Sequence, residues 1–238
     1  MKRLVRCGRR GARGCAPIRG FGAFEGRRLV DVDKSVYNRP MSKPSLREAP
    51  TPLPARERIL RTAHDLFYQE GIRATGIDRV IAEAGVTKVT FYRHFPSKND
   101  LVQAFLEFRH ERWMTWFRKA LGRHEDKGVD AVVEAMREWF TQPDFRGCAF
   151  INTVVELGGT VPAFEETSRH HKEEMTDAIR ALLPPDLDGE LDASAIALAV
   201  DGAIVRMQYT HNADDALRLL SRLLHTLQAT AASPTRQV

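Results

Sequence analysis

From Ala55 onward, the apolar residues of the chain recur at the three- and four-residue spacing of amphipathic helices. The first such face is formed by Ile59, Leu60, Ala63, Leu66 and Phe67. No strand-like alternation and no hairpin turn signal competes with this pattern. The spacing therefore predicts an all-α fold of about nine helices.

Polar caps and glycines divide the beginning of this region into short helices. Gly71 is expected to end the first helix, because glycine is the commonest residue just past a helix C-terminus. Thr75 and Asp78 have the spacing of a capping box, which predicts the start of a second helix. Gly85 is expected to end that helix, and Thr87 to cap a third.

Longer helices follow. Ser97 with Asp100 repeats the capping-box spacing and opens a helix that is expected to reach Leu121. At 1.5 Å per residue this helix would be about 35 Å long. The remaining helices are predicted over residues 129–140, 147–157, from Pro162 to before Pro184, 191–209 and 212–227.

The N-terminal residues differ from the rest of the chain. Residues 1–40 are rich in Arg and Gly without apolar periodicity, and we expect them to be disordered. They carry eleven Lys and Arg but only three Asp and Glu, so their net positive charge is larger than that of the whole chain, which is +5. The remaining residues are therefore slightly acidic. One interpretation is an arm that holds DNA phosphates. The interpretation we favour is that residues 1–40 lie upstream of the start codon that is used, and that translation starts at Met41.

Composition excludes several classes of protein. No apolar run reaches the roughly 18–20 residues that a membrane span requires, and no apolar stretch follows the basic N-terminus as in a secretory signal. We therefore expect a cytoplasmic protein without a membrane partner. The three cysteines, Cys7, Cys15 and Cys148, have spacings that suggest neither a disulfide framework nor a zinc site, and no cofactor is predicted.

Residues 55–101 have the pattern of a helix-turn-helix. Such a motif needs a small residue and a tight turn between two short helices, and Ala84-Gly85 supplies both. The third helix is expected to turn Val86, Phe91 and Phe95 inward. Its outward residues are Thr87, Lys88, Thr90, Arg93 and His94, with Tyr92 suited to packing on the domain while its hydroxyl reaches a phosphate. Each of these residues alone would suit any solvated helix, but together they predict DNA binding.

The stretch from Thr75 to Lys98 resembles the N-terminal signature of the tetracycline-repressor (TetR) family of bacterial regulators. The resemblance is carried by Ala-Gly-Val-Thr at 84–87, by Phe-Tyr-Arg-His-Phe at 91–95 and by Ser-Lys at 97–98. It implies phosphate contacts from Thr75, Thr87, Tyr92 and Lys98. It also implies contacts with base edges or adjacent backbone from Lys88, Val89, Thr90 and His94.

Position 89 departs from the family, in which many members have Gly where this chain has Val89. A β-branched side chain there could touch a thymine methyl group. It could also hold the helix slightly farther from the groove floor. The departure therefore concerns the operator sequence and leaves the expectation of DNA binding unchanged.

The resemblance implies a dimeric repressor that binds a palindromic double-stranded DNA operator and is released by a small-molecule effector of unknown identity. The predicted regions are a disordered extension (1–54), the DNA-binding domain (55–101), a ligand-binding and dimerisation domain (102–230) and a disordered tail (231–238). One alternative is a DNA-binding regulator without a small-molecule effector. Another is a helical enzyme, which no Ser-His-Asp arrangement, phosphate loop or metal motif supports.

Two apolar stripes near the C-terminus are the expected homodimer surface. The resemblance implies that the last two helices pair with their copies in a second subunit. The alternative is that the stripes are buried only within their own chain. The stripe residues are Leu191, Ala195, Leu198, Ala199, Gly202, Val205 and Tyr209 in the first helix and Leu217, Leu220, Leu223, Leu224 and Leu227 in the second.

The helices between these regions are rich in aromatic residues, and the resemblance implies an effector cavity among them. A few polar groups in an aromatic lining are typical of such a cavity, although each residue alone would also suit a plain core. The candidates are Trp113, Trp116, Phe117, Trp139, Phe140, Cys148, Phe150, Asn152, Glu156 and His171.

Two further features receive structural interpretations. Cys148 has apolar neighbours that favour an inert buried thiol over a redox sensor. Residues 165–174 place His and Glu four positions apart, which could ligate a metal ion. We expect a solvated helix face with local charge pairs instead, and predict no metal site.

Overall fold

The computed structural model describes residues 53–183 and 189–231. The predicted disordered extension, apart from Leu53 and Pro54, and the predicted C-terminal tail, apart from residue 231, lie outside the described residues. Within the described residues the secondary structure is entirely helical, which confirms the predicted fold class.

Nine α-helices and one short 3₁₀ turn, Glu125–Lys127, make up the described part of the chain. The α-helices are α1 (Ala55–Glu70), α2 (Ile77–Glu83), α3 (Lys88–His94), α4 (Lys98–Arg123), α5 (Asp130–Phe140), α6 (Ala149–Leu157), α7 (Pro162–Arg180), α8 (Gly189–Thr210) and α9 (Ala213–Ala231). All nine belong to one compact unit.

Local sequence signals account for several of the helix starts. The Ser97 hydroxyl accepts a hydrogen bond from the backbone N–H of Asp100 at 3.2 Å and donates one to its carboxylate at 2.6 Å, which confirms the cap of α4. Thr87 caps α3 by accepting from the N–H of Thr90 at 3.1 Å. Pro162 occupies the first turn of α7, where its missing N–H costs no hydrogen bond.

The second helix begins differently from the prediction. Its N-cap is Gly76, which makes no side-chain capping bond, and α2 starts at Ile77. Thr75 is fully buried, and its hydroxyl donates to the carbonyl oxygen of Gly71 at 2.8 Å. The capping-box prediction for Thr75 and Asp78 is therefore wrong, because the threonine hydroxyl bonds back to the end of α1.

The long helix α4 connects the two halves of the core. Its first turns bury Leu101 and Phe105, and the Phe105 ring meets Phe67 of α1 edge to face at 5.5 Å between centroids. Farther along, Trp113 and Phe117 are buried against the second half of the molecule. A movement of α4 would therefore change the packing in both halves of the core.

None of the helices within residues 53–183 and 189–231 has an apolar stretch of the length that a membrane span requires.

Candidate nucleic-acid interface

The turn between α2 and α3 is tight and is braced from α1. Gly85 adopts a positive φ of 61°, a conformation that side-chain-bearing residues rarely take. The Arg58 guanidinium donates to the carbonyl oxygens of Ala84 at 3.1 Å and Gly85 at 3.3 Å, which fixes the turn against α1. Sequence reasoning missed Arg58, although a long cation on α1 near a predicted tight turn is a signal that could have found it.

The inner face of α3 is buried as expected. Phe91 is 0% exposed and Phe95 is 2% exposed, while Val86 is half-buried. Both phenylalanine rings belong to the same core as Val80 of α2, so the two short helices are held as one unit. The position of α3 is therefore set by apolar packing on one side only.

The opposite face of α3 is open to solvent. Val89 is 80% exposed and Tyr92 is 41% exposed. Lys88 and Arg93 are exposed beside them. The two remaining predicted contacts, Thr90 and His94, are half-buried, and Thr87 is exposed at the start of the helix. The result is a ridge of basic, hydroxyl and apolar groups that projects from the surface.

The cations near this ridge are not equally available. Arg79 of α2 is bound to the carboxylates of Glu70 and Glu83, and these hydrogen bonds raise the pKa of its guanidinium. The Lys88 ammonium is 3.5 Å from the nearer carboxylate oxygen of Asp78, which is a long distance for an ion pair, and both side chains are well exposed. Within the described residues Arg93 has no ion-pair partner, so Lys88 and Arg93 are the cations best placed to meet an anion.

Two of the residues expected to contact phosphate are held by the protein itself. Thr75 has no exposed surface with which to meet a phosphate, so its side chain is left out of the interface. The Lys98 ammonium donates to the carbonyl oxygen of Ile72 at 2.6 Å, and partial burial lowers its pKa. An ammonium group has three N–H donors, so two of those of Lys98 stay free of this bond.

Most of the aromatic effector candidates form one packed cluster. Trp113 stacks on Phe117 at 4.7 Å between centroids and meets Trp139 at 5.3 Å, with Trp116 half-buried at its edge. Phe140 is buried at the far side, where its ring meets Phe145. Ring-to-ring contacts therefore bring most of the aromatic candidates together.

Polar groups adjoin this cluster at one side. The His171 imidazole stacks on the Phe150 ring at 3.7 Å and lies 5.0 Å from the Trp113 ring. Burial lowers the pKa of His171 to about 2, so the side chain is neutral. The buried indole N–H of Trp113 has no hydrogen-bond partner among the described residues.

Asn152 and Glu156 lie elsewhere, at the junction with α1. They line a cavity of about 180 Å³ together with Phe67, Phe105 and neighbouring residues. This volume is below the roughly 300 Å³ at which drug-sized ligand sites begin. The Glu156 carboxylate instead accepts a hydrogen bond from the backbone N–H of Arg73 at 2.9 Å. The ten effector candidates are thus divided between two places.

The Cys148 side chain is 2% exposed. It immediately precedes α6 and belongs to the main apolar core, where the Lys172 side chain is hydrogen-bonded to it. The interpretation of an inert thiol stays a prediction.

Comparisons with known proteins agree with the site. The model of the tetR family of bacterial regulatory proteins matches residues 59–105, which run from α1 into α4. The HTH-type transcriptional activator FasR of Mycolicibacterium smegmatis is 30% identical over 62% of this chain and 70% of its own length. The HTH-type transcriptional regulator UidR of Escherichia coli is 32% identical over 37% of this chain, and this match spans 46%, less than half, of UidR.

A solved structure extends the similarity beyond the N-terminal helices. A crystal structure of a TetR-family transcriptional regulator from Streptomyces coelicolor is similar with a TM-score of 0.68 and 31% identity, over 77% of this chain and 92% of that one. The matched proteins are transcriptional regulators and not enzymes, as the sequence predicted.

Proposed function

Because the chain belongs to the tetR family of bacterial regulatory proteins and is a DNA-binding transcriptional regulator, we propose that it is a ligand-responsive repressor that binds a palindromic operator as a homodimer. One observation carries the proposal: α3 is anchored by buried Phe91 and Phe95 while Val89, on its other face, is 80% exposed. A rigid helix that projects a mixed basic and apolar ridge fits the major groove.

The residues of the ridge divide by chemistry. We assign the Tyr92 hydroxyl, the Lys98 ammonium and the Thr87 hydroxyl to phosphate contacts, which give affinity without sequence preference. Lys88, Thr90, Arg93 and His94 offer donors for base edges or adjacent phosphates, and Val89 offers methyl groups to a thymine. Sequence preference would then depend on the middle of α3.

An exposed apolar surface on α8 and α9 supports the homodimer. The two helices border an open groove of about 720 Å³, here named the α8–α9 groove. Leu198 is 74% exposed and Leu223 is 51% exposed on it, while Ala195, Ala199 and Gly202 leave room for close helix approach. Leu217, Leu220 and Leu224 are buried within the chain, so only part of each stripe is available to a partner.

A dimer formed through this surface would determine the form of the operator. Two identical subunits are most often related by a two-fold axis, so both copies of α3 would face the DNA in opposite orientations. Recognition helices of such dimers sit about 34 Å apart, one helical turn of DNA. We therefore expect two inverted half-sites at that spacing.

The unpaired Trp113 indole N–H supports an effector site in the aromatic cluster. A buried donor without a partner costs about 1–3 kcal/mol, and a ligand with an acceptor atom beside Trp113 would recover this. A flat apolar molecule bound beside Trp113 would contact α4 directly, because α4 carries Trp113, Trp116 and Phe117. Such a ligand acts only by favouring one arrangement of the helices over the other.

Polar contacts offer a route from the core to the DNA-binding helices. The Arg146 carbonyl oxygen accepts hydrogen bonds from Asn152 at 3.0 Å and from Gln208 of α8 at 3.1 Å. The N–H of the same residue donates to the Tyr68 hydroxyl of α1 at 3.0 Å. A shift of α8 or α6 would thereby reach α1 through a single peptide segment.

We propose a repressor and not an activator, because a dimer bound at a promoter blocks the access of RNA polymerase to the DNA. Repression of this kind needs no specific contact between the dimer and the polymerase. The relative FasR is an activator by name, so a promoter fusion is the deciding measurement. A regulator must reach the chromosome, and for that reason we place the protein in the cytoplasm.

Footprinting on the DNA that flanks its own gene tests the proposal, with and without a panel of planar aromatic compounds. We expect protection of one inverted repeat, and release by a compound that also raises the thermal stability of the free protein. Protection that no compound releases would support a regulator without an effector. Absence of any protected sequence, there and in a selection from random duplexes, would contradict the proposal.

A further inference from the structure

Three potential metal ligands converge on the outer side of α4 and α7. His110 belongs to α4, whereas His170 and Glu174 lie one turn apart on α7. The Glu174 Oε1 atom is 3.3 Å from Nε2 of His110 and 3.1 Å from Nε2 of His170. All three donor atoms lie within 4.8 Å of one another. The sequence placed only His170 and Glu174 on one face, since nothing in it shows that α4 packs there.

We propose that His110, His170 and Glu174 bind one divalent first-row transition-metal ion. Imidazole nitrogen and carboxylate oxygen are the ligands that Zn²⁺, Co²⁺ and Ni²⁺ share. Two ligands that each lie about 2.0–2.1 Å from one ion are roughly 3.0–3.4 Å apart, depending on the coordination angle. The two Nε2–Oε1 distances fall in that range, so the ion requires little movement of the side chains.

Outer contacts hold two of the ligands in the orientation that metal binding needs. The second ring nitrogen of His110, Nδ1, is 3.2 Å from Nδ1 of the buried His171. If His110 donates this hydrogen bond, its Nε2 lone pair points to the ion. The other oxygen of Glu174, Oε2, accepts from Arg118, which leaves Oε1 free to bind the ion. Such outer partners are characteristic of metal-binding histidines and carboxylates.

The surroundings allow an ion to enter. The His170 side chain is 59% exposed. Beside it lies a groove of about 360 Å³ whose lining includes the carboxylates of Glu107, Glu111 and Glu166. Glu166 is paired with Arg169, whereas Glu107 and Glu111 offset the positive charge of Arg118 and favour a cation. The same geometry also suits plain hydrogen bonds between protonated imidazoles and Glu174, and metal titration distinguishes the two.

Three protein ligands would leave at least one coordination position for water or a small-molecule donor. The bound ion would also join α4 to α7 next to the aromatic cluster, since His171 contacts both His110 and the Trp113 ring. Since α4 begins beside α3, the ion would limit movement of the helix that leads to the DNA-binding helices. The binding site itself does not depend on the proposed function, and its test uses no DNA.

The test is a titration of the full chain, freed of any histidine tag, with Zn²⁺ against a chromophoric chelator and separately with Co²⁺. We expect one high-affinity ion per chain, a visible Co²⁺ absorption band and a higher Tm with Zn²⁺. His170→Ala should weaken binding by more than the roughly 10–100-fold that loss of an outer partner costs, and should abolish the Tm shift.

The matched control is His225→Ala, because that side chain is 57% exposed and pairs with Asp130 at 3.0 Å on another face. A second pair, Glu174→Gln and its exposed neighbour Glu173→Gln, tests the carboxylate in the same way. Every variant keeps all three cysteines, so thiol binding cancels in each comparison. Equal Zn²⁺ affinity for His170→Ala and His225→Ala, or no stoichiometric binding to the unaltered chain, would overturn the proposal.

Discussion

The Tyr68 hydroxyl accepts a hydrogen bond from the backbone N–H of Arg146 at 3.0 Å. It also donates one to the carbonyl oxygen of Gly147 at 3.1 Å, and both bonds are buried at least in part. The Arg109 guanidinium lies over the Tyr68 ring at 3.9 Å from its centroid. One side chain of α1 therefore joins the DNA-binding helices to α4 and to the segment before α6.

Tyr68→Phe should lower the free energy of unfolding by about 1–3 kcal/mol. The substitution keeps the ring but leaves a buried N–H and a buried carbonyl oxygen without their partner. Urea unfolding of the DNA-free protein measures the loss. Tyr92→Phe, which removes an exposed hydroxyl, should stay within about 0.5 kcal/mol of the unaltered protein. Equal losses for the two variants would show that the Tyr68 hydroxyl is not structurally important.

Stability should fall as the pH drops below about 6.5, in part through His64. Burial lowers the pKa of this imidazole, with Arg109 and Arg112 acting in the same direction and Asp65 opposing them. Below pH 6.5 the unfolded chain therefore binds the proton more readily than the folded chain, and each pH unit costs at most about 1.4 kcal/mol per group. His64→Gln should have a shallower loss between pH 7 and 5 in urea unfolding. A steeper or identical slope would contradict the shift.

Leu198→Glu should convert the proposed homodimer to a monomer. It places a charge at the centre of the α8–α9 groove, where burial against a second copy would leave that charge without a partner. Sedimentation equilibrium at micromolar concentration measures the change. Val155→Glu is the control, because Val155 is 81% exposed on α6, outside the groove. A monomeric unaltered protein, or dimers of Leu198→Glu as stable as those of Val155→Glu, would refute this interface.

Val89→Ala should weaken operator binding by about 1–3 kcal/mol, the usual cost of one mismatched base pair. It should leave the affinity for unrelated duplexes and the salt dependence unchanged, since no charge is removed. Titrations on both duplexes at several salt concentrations separate the two effects. A parallel loss on operator and unrelated DNA would show that Val89 supports the helix and does not contact a base.

Local signals predicted the helices well because each signal acts within a few residues. Thr87 and Ser97 cap their helices as expected. Thr75 was misassigned because its hydroxyl donates to the carbonyl oxygen of Gly71 at the end of α1, and does not cap α2 by accepting from a backbone N–H. The 3₁₀ turn at Glu125–Lys127 had no signal of comparable strength.

Contacts between distant helices could not be read from the sequence. Periodicity identified Leu220 and Leu223 as members of one stripe, yet the chain buries the first and exposes the second. The approach of His110 to His170 depends on how α4 packs on α7, and that of Glu156 to Arg73 on how α6 meets the segment after α1. The spacing of apolar residues along one helix shows which of its faces is apolar, but it does not show which other helix packs against that face.

Paired lysine substitutions test whether the exposed ridge of α3 enters duplex DNA. Lys88→Ala and Lys119→Ala each remove one exposed cation, the first from α3 and the second from the far end of α4. Fluorescence anisotropy on the selected operator should give a weaker Kd for Lys88→Ala, with a salt slope smaller by about one if the lysine meets a phosphate, and an unchanged Kd for Lys119→Ala. Identical Kd values for both variants and the unaltered protein would contradict the account.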